Sequence, residues 1–248
     1  MKIYTYYEDV NLNKQNELLE LWKSSWARHG YTPIILSRDD AKRSSMYEEY
    51  YAFVQRVHEK VSGKPLPENG YWLAAQLEIV AFTTIDSISF TSDYDIINYD
   101  FPVPEILNKE LHWRNGCCSC FASGDAESWV RYIEFLFEKE NDIVQWCKEE
   151  KEKTKRTEFG DQDFLVAIHK PAIQNNVVKM SYDEKICEMY FPDQIEKLKL
   201  YHISHNNMDQ IKSKFNEYKN IHQEDLRIMM AKKIIGENMI TDISQILK

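Results

Sequence analysis

Glycine is scarce in this chain: seven in 248 residues, where average usage would give roughly 17. They stand at 30, 63, 70, 116, 124, 160 and 236, and no two have the spacing of a GxGxxG turn or a GxxxxGK[ST] phosphate loop. The two glycine devices that bring backbone N–H groups against phosphate are therefore excluded. Basic surplus is missing too, with 31 Lys and Arg against 40 Asp and Glu for a net charge of −9, so no nucleic-acid partner is expected. No apolar run reaches the 18 residues of a transmembrane helix. Residues 1–7 show neither a charged leader nor an apolar signal core, so a cytoplasmic location is expected. Five cysteines, an odd number, without an export signal point to a reducing compartment. Three of them cluster as Cys117, Cys118 and Cys120, but no CxxC pair repeats and no histidine follows at ligand spacing. Residues 117–121 therefore read as strand, with cysteine acting as a small apolar residue.

What the chain has is core-forming material: 43% hydrophobic and 13% aromatic residues, enough for one large domain with an appendage. Residues 2–7 read as a first strand, and residues 13–28 as a helix with Leu18, Leu19, Trp22 and Trp26 on one side, ended by Gly30. A strand over 32–36 follows. A helix over 46–61 carries Tyr47, Tyr50, Tyr51, Val54, Val57 and Val61 at helical spacing, and the Gly/Pro-rich stretch 63–70 ends it. The helix over 71–84 has Leu73, Leu77, Val80 and Ala81 along one face; a strand over 87–91 and an extended stretch over 96–104 come next. Alternating strands and helices argue for a parallel sheet with helices on both faces, whose ligands bind beyond the carboxyl ends of the strands. Further on, 112–121 reads as one strand, 125–140 and 143–155 as helices, a short helix opens at Gly160, and 177–180 and 198–204 read as strands. Residues 208–248 read as helical. The boundaries are a principal domain over 1–206 and a helical C-terminal extension over 207–248.

Three constellations carry chemistry. Asp93-Tyr94-Asp95 ends a predicted strand, whose period of two sends both carboxylates to one side, and such a pair suits a divalent cation. With 16 aspartates, roughly one Asp-x-Asp arises by chance; the chain has two, at 93/95 and 161/163. The first lies at the carboxyl edge of the expected sheet, while a pair of solvated loop aspartates is the plain alternative. In Gly160-Asp161-Gln162-Asp163, helix capping accounts for Asp161 and leaves Gln162 and Asp163 unexplained. Last, a strand over 198–204 delivers His202 and, just beyond it, His205, and neutral imidazole is a common ligand for Mn²⁺-like or Zn²⁺ ions.

Together these segments resemble the GT-A-fold glycosyltransferases that use nucleotide-sugar donors. Ser89-Phe-Thr-Ser-Asp93-Tyr-Asp95 resembles the family's DxD segment, Gly160-Asp-Gln-Asp163-Phe-Leu the DQD segment of glycogenin-like and galactosyltransferase-like members, and Tyr201-His202-Ile-Ser204 the late strand that ends in a metal-binding histidine. Asn115-Gly116 resembles the start of the family's NSG strand, with cysteines in place of the rest. The resemblance covers residues 1–206 and implies a Rossmann-like, mostly parallel central sheet flanked by helices, with the C-terminal helices outside it. It implies Asp93, Asp95 and His202 as ligands of Mn²⁺ or Mg²⁺, with Asp93 also on the donor. It places Thr5, Tyr6, Tyr7 and Asp39 at the nucleobase, and Asp161, Gln162 and Asp163 near the sugar and acceptor. Where glycogenin-like members continue with a Gly-x-x-Lys-Pro-Trp stretch, this chain has Ser204-His205-Asn206-Asn207, so His205 replaces the lysine as a phosphate contact.

The implied reaction moves a sugar from a nucleotide diphosphate, with a UDP-sugar as first choice, to a hydroxyl of a glycan or other acceptor. For inversion Asp163 or Asp161 is the general base; for retention Gln162 or an aspartate lies on the sugar's opposite face. Tyr71, Tyr94 and Trp113 are the aromatic candidates for acceptor contact. Two alternatives stand beside this expectation. A nucleotidyltransferase would share the sheet, but residues 6–11 carry neither the glycine-rich segment nor the basic residue such enzymes show after the first strand. A non-enzymatic interaction protein would leave both acidic pairs solvated.

Overall fold

A computed structural model describes residues 1–10, 15–115, 118–181, 185–187 and 198–246. Strand β1 (Lys2–Tyr6) alternates its side chains so that Ile3 and Tyr4 enter opposite cores, as a strand covered on both faces requires. Helix α1 (Gln15–Ala27) buries Leu18, Leu19, Trp22 and Trp26, the stripe expected from their spacing. Strand β2 (Thr32–Leu36) lies parallel to β1, and a five-residue helix α2 (Arg38–Lys42) follows it, too short to leave a periodic signal. Helices α3 (Tyr47–Ser62) and α4 (Tyr71–Phe82) come next. Gly63 ends α3 at φ 80°, the left-handed cap that glycine adopts without a Cβ penalty. Strands β3 (Ser89–Ser92) and β4 (Ile96–Asn98) flank the Asp93–Asp95 segment.

The stretch read as one strand over 112–121 is two: β5 (His112–Asn115) and β6 (Cys118–Gly124) run antiparallel, with Asn115 paired to Cys118. Then come α5 (Ala126–Glu138), α6 (Glu140–Thr154), α7 (Asp161–Gln174), β7 (Lys179–Met180), β8 (Ile186–Cys187) and β9 (Leu200–His202). The C-terminal segment is broken rather than one helix: α8 (His205–Lys214), a single 3₁₀ turn over Asn216–Tyr218, and α9 (Gln223–Ile246).

The main sheet has the order β2-β1-β3-β6-β5-β7 and a second holds β4-β9-β8. In the main sheet β1/β2, β1/β3 and β5/β7 are parallel while β3/β6 and β5/β6 are antiparallel. The architecture is thus α/β with a mostly parallel, mixed six-stranded sheet between helices, as expected from the alternation of strands and helices, with the antiparallel pairs confined to β6. Helices α3 to α7 cover one face, around Phe53, Leu77, Trp129 and Leu165. The other face is covered by α1, the small sheet, α8 and α9, around Trp22, Trp26, Phe90, Tyr201 and Met230. Trp113, proposed above as an acceptor contact, belongs to the first core: it is fully buried and meets Tyr132 edge-on. Cys120 and Cys147 are buried free thiols, consistent with an apolar packing role, while the side chains of Cys117, Cys118 and Cys187 lie outside the description. No helix among the described residues is long and apolar enough to cross a membrane.

Candidate metal centre

Asp93 and Asp95 lie in a turn rather than a strand. The Asp93 N–H still donates to the Cys120 carbonyl at 2.9 Å, the last rung between β3 and β6, and the chain then folds back so that the Ile96 N–H reaches the Asp93 carbonyl at 3.1 Å. This four-residue turn, not strand alternation, brings the carboxylates together. Helix α1 clamps both of its sides: the Trp22 indole donates to Ser92 Oγ and the Trp26 indole to the Ile96 carbonyl, each at 3.0 Å, while Ser25 Oγ accepts from the Asn98 N–H at 3.1 Å.

Ladder register supplies the histidine. Strand β9 runs antiparallel to β4 with His202 opposite Ile96, and the Ile203 N–H donates to the Asp95 carbonyl at 3.0 Å. His202 therefore stands beside the turn, and the ligand atoms of Asp93, Asp95 and His202 all lie within 4.8 Å of one another. His202 Nε2 is 3.3 Å from Asp95 Oδ1, which is buried without a hydrogen-bond partner. A buried carboxylate oxygen left this way is costly, and a cation held by it, Asp93 and His202 removes the cost. Two carboxylates and an imidazole form a donor set suited to Mn²⁺ or Mg²⁺.

The other oxygen, Asp95 Oδ2, accepts from Arg227 Nη2 at 2.9 Å. Burial alone works to raise the Asp95 pKa, but His202, Arg227 and His205 outweigh it and hold the carboxyl well below the usual carboxylate range. Arg227 comes from α9 and is 1% exposed; Asp95 is 8% exposed, so it is not part of a solvated loop pair. Glu224, one helical turn before Arg227, accepts from Arg227 Nη1 at 3.0 Å.

The Asp93–Asp95–His202 group forms one wall of a cleft of about 1070 Å³ at the carboxyl ends of β1 and β3, lined also by Tyr6, Glu8, Tyr71, Trp72, Asp161, Gln162, Asp163 and His205. Gly160 opens α7 in that cleft, its backbone so close to Trp72 that an added Cβ would stand 3.0 Å from the ring. The capping role falls to Asp163, not Asp161. Asp163 Oδ2 accepts from the Gly160 N–H at 2.9 Å and from Arg156 Nη2 at 2.5 Å, and the Arg156 guanidinium lies 5.7 Å from the centre of the Trp72 ring. Tyr71, 48% exposed, lies on the wall near both acidic segments.

The expected nucleobase contacts divide. Tyr6 lines the cleft with its hydroxyl on Glu8 Oε2 at 2.8 Å, and Tyr7 packs edge-on against Tyr94 at 5.5 Å. Thr5 is fully buried on the opposite side of β1 from Tyr6, because alternation turns it there, and Asp39 is exposed on α2; neither lines the cleft. The neighbouring Arg38 instead reaches Glu8 Oε1 at 2.8 Å. His205 lines the cleft but is already engaged. Its Nδ1 is 3.1 Å from Gln223 Oε1, and its Nε2 is 2.9 Å from Arg227 Nη1 and 3.1 Å from Glu224 Oε1. Sequence reasoning missed Arg227 and Glu224. The only trace was a charged pair three apart on the buried side of a helix otherwise made by Leu226, Met230, Ala231 and Ile234. Comparison of the chain with protein-family profiles, curated proteins and solved structures gives no match.

Proposed function

We propose that the protein is a metal-dependent glycosyltransferase that takes a nucleotide diphosphate sugar, a UDP-sugar first, and transfers the sugar to a hydroxyl acceptor. The observation that carries this reading is the convergence on one cleft of the Asp93–Asp95–His202 group and, across from it, Asp161 and Gln162 at the start of α7. Asp93, Asp95 Oδ1 and His202 Nε2 are the atoms that hold the cation, and Mn²⁺ or Mg²⁺ when bound supplies Lewis-acid stabilisation of the charge that develops on the leaving diphosphate. Asp163 closes the first turn of α7 and pairs with Arg156, which gives it a structural role. In this reading Asp161 is the carboxylate that addresses the sugar or the acceptor hydroxyl, and Tyr71 and Tyr94 offer ring faces to the glycan.

Calorimetric titration with UDP tests the proposal. Wild type binds UDP with Mn²⁺ and loses that binding on chelation, and Asp93→Asn weakens it by roughly a hundredfold or more, since loss of a group that merely orients a ligand already costs about 10–100-fold. Incubation with a panel of UDP-sugars and glycan acceptors releases UDP from at least one pair. Unchanged UDP affinity in Asp93→Asn, or no UDP release across the panel, overturns the reading.

A further inference from the structure

Arg227 has every side of its guanidinium fork occupied. Nε donates to the Ile203 carbonyl at 3.0 Å, Nη1 to His205 Nε2 at 2.9 Å and to Glu224 Oε2 at 3.0 Å, and Nη2 to Asp95 Oδ2 at 2.9 Å. The planar fork is thus fixed from three directions, and with 1% exposure it has no room to swing toward a ligand. It is a stationary positive charge built against the metal group.

Its position decides the sign of its effect. Nη2 occupies Oδ2 of Asp95, while Oδ1 faces His202. A cation at Asp93, Oδ1 and His202 therefore shares one carboxylate with the guanidinium. Two positive groups on a single buried carboxylate repel one another with little screening. An anion seated on the cation lies in the field of both and is attracted by both. Glu224 bonds the other terminal nitrogen, so Nη2 remains the part of the guanidinium nearest the centre.

We propose that Arg227 makes this centre a site for a cation–diphosphate pair rather than for a cation alone: it weakens binding of the bare divalent cation and strengthens binding once a diphosphate is present. The inference rests on the Asp93–Asp95–His202 reading above and adds to it a positioning residue from the C-terminal helix that acts through Asp95. Because such coupling is reciprocal, Mn²⁺ raises diphosphate affinity by the same factor that diphosphate raises Mn²⁺ affinity.

The experiment is calorimetry of the full chain with Mn²⁺ alone, pyrophosphate alone and each in the presence of the other, with the Mn²⁺–pyrophosphate complex in free solution accounted for. Wild type shows coupling of roughly tenfold or more in both directions. Arg227→Gln binds Mn²⁺ alone more tightly than wild type and loses most of the coupling, while Arg227→Lys, which keeps the charge, retains it. Equal Mn²⁺ affinity with and without pyrophosphate in wild type overturns the proposal, and that arm needs no variant to fold. Undiminished coupling in a folded Arg227→Gln, checked by circular dichroism, overturns it as well and leaves the metal centre standing. Absence of Mn²⁺ binding in wild type and Arg227→Gln, with or without pyrophosphate, overturns the metal centre and this inference together.

Discussion

Asp95 does two things at once: one oxygen neutralises the buried Arg227 and the other faces His202. Its substitution therefore changes more than ligand binding. Asp95→Ala leaves Arg227 inside the protein with Glu224 as its remaining carboxylate partner, and breaking a buried pair on one side costs about 3 kcal/mol. Asp93 is only half-buried on the turn, so Asp93→Asn is expected within about 1 kcal/mol of wild type; urea unfolding of the two variants reads the difference. His58 offers a second test at this scale. Burial pulls its pKa down to about 4, against smaller opposing effects of the Phe159 carbonyl and Asp163, while the unfolded imidazole takes up a proton near the ordinary value of about 6.5. The unfolded chain then binds more protons between those two values, so stability falls as pH is lowered through that window, by up to roughly 3 kcal/mol. His58→Gln keeps a donor for the Phe159 carbonyl and flattens that part of the pH dependence, as unfolding free energies at pH 7 and pH 5 show.

Helices α1 and α7 each hold a turn at the cleft in place by a different chemistry. In α1 two indole N–H groups bracket the acidic turn, and in α7 a carboxylate at the third position ties back to the Gly160 N–H. Asp163→Ala removes that tie at a cost of about 1 kcal/mol, whereas Asp163→Asn retains an acceptor oxygen. If Asp163 is structural, Asp163→Asn releases UDP from the productive donor at close to the wild-type rate; abolished release returns Asp163 to the reaction. The apolar stripes of α1 and α5 were legible in the sequence because buried residues recur at helical spacing, Leu18 to Trp26 being the clearest case, whereas α4 is buried on most of its sides, Gln76, Ile79 and Phe82 included, beyond the one face read from its spacing. The β5–β6 reversal was concealed in the sequence because strand-forming residues lie on both sides of it. The residue types of the metal group were also legible. Their geometry was not, because a turn and a ladder register, rather than strand alternation, bring Asp93, Asp95 and His202 together. Arg227 stayed hidden because a single charge in a 24-residue helix carries no sign of a partner 132 positions away.

Across the whole molecule, the C-terminal helix is part of the core that closes the second face of the sheet. Leu226, Met230 and Ile234 are fully buried there with Trp22 and Trp26, and at about 1.5–3 kcal/mol each their burial is comparable to the ~5–15 kcal/mol that a folded domain retains in total. A chain ending at residue 222 is therefore expected to lose its cooperative thermal transition; a sharp melt in that truncation contradicts this. The distance in sequence between Asp95 and Arg227 also sets an order of assembly. During synthesis, at about 5–20 residues per second, β1 to β4 emerge several seconds before α9, and the segment that carries Asp93 and Asp95 waits in turn for the Cys120 carbonyl, for β9 and for Arg227. Asp95 and Arg227 meet only after α9 has been made, so their pairing ties the acidic turn to a helix synthesised more than a hundred residues later.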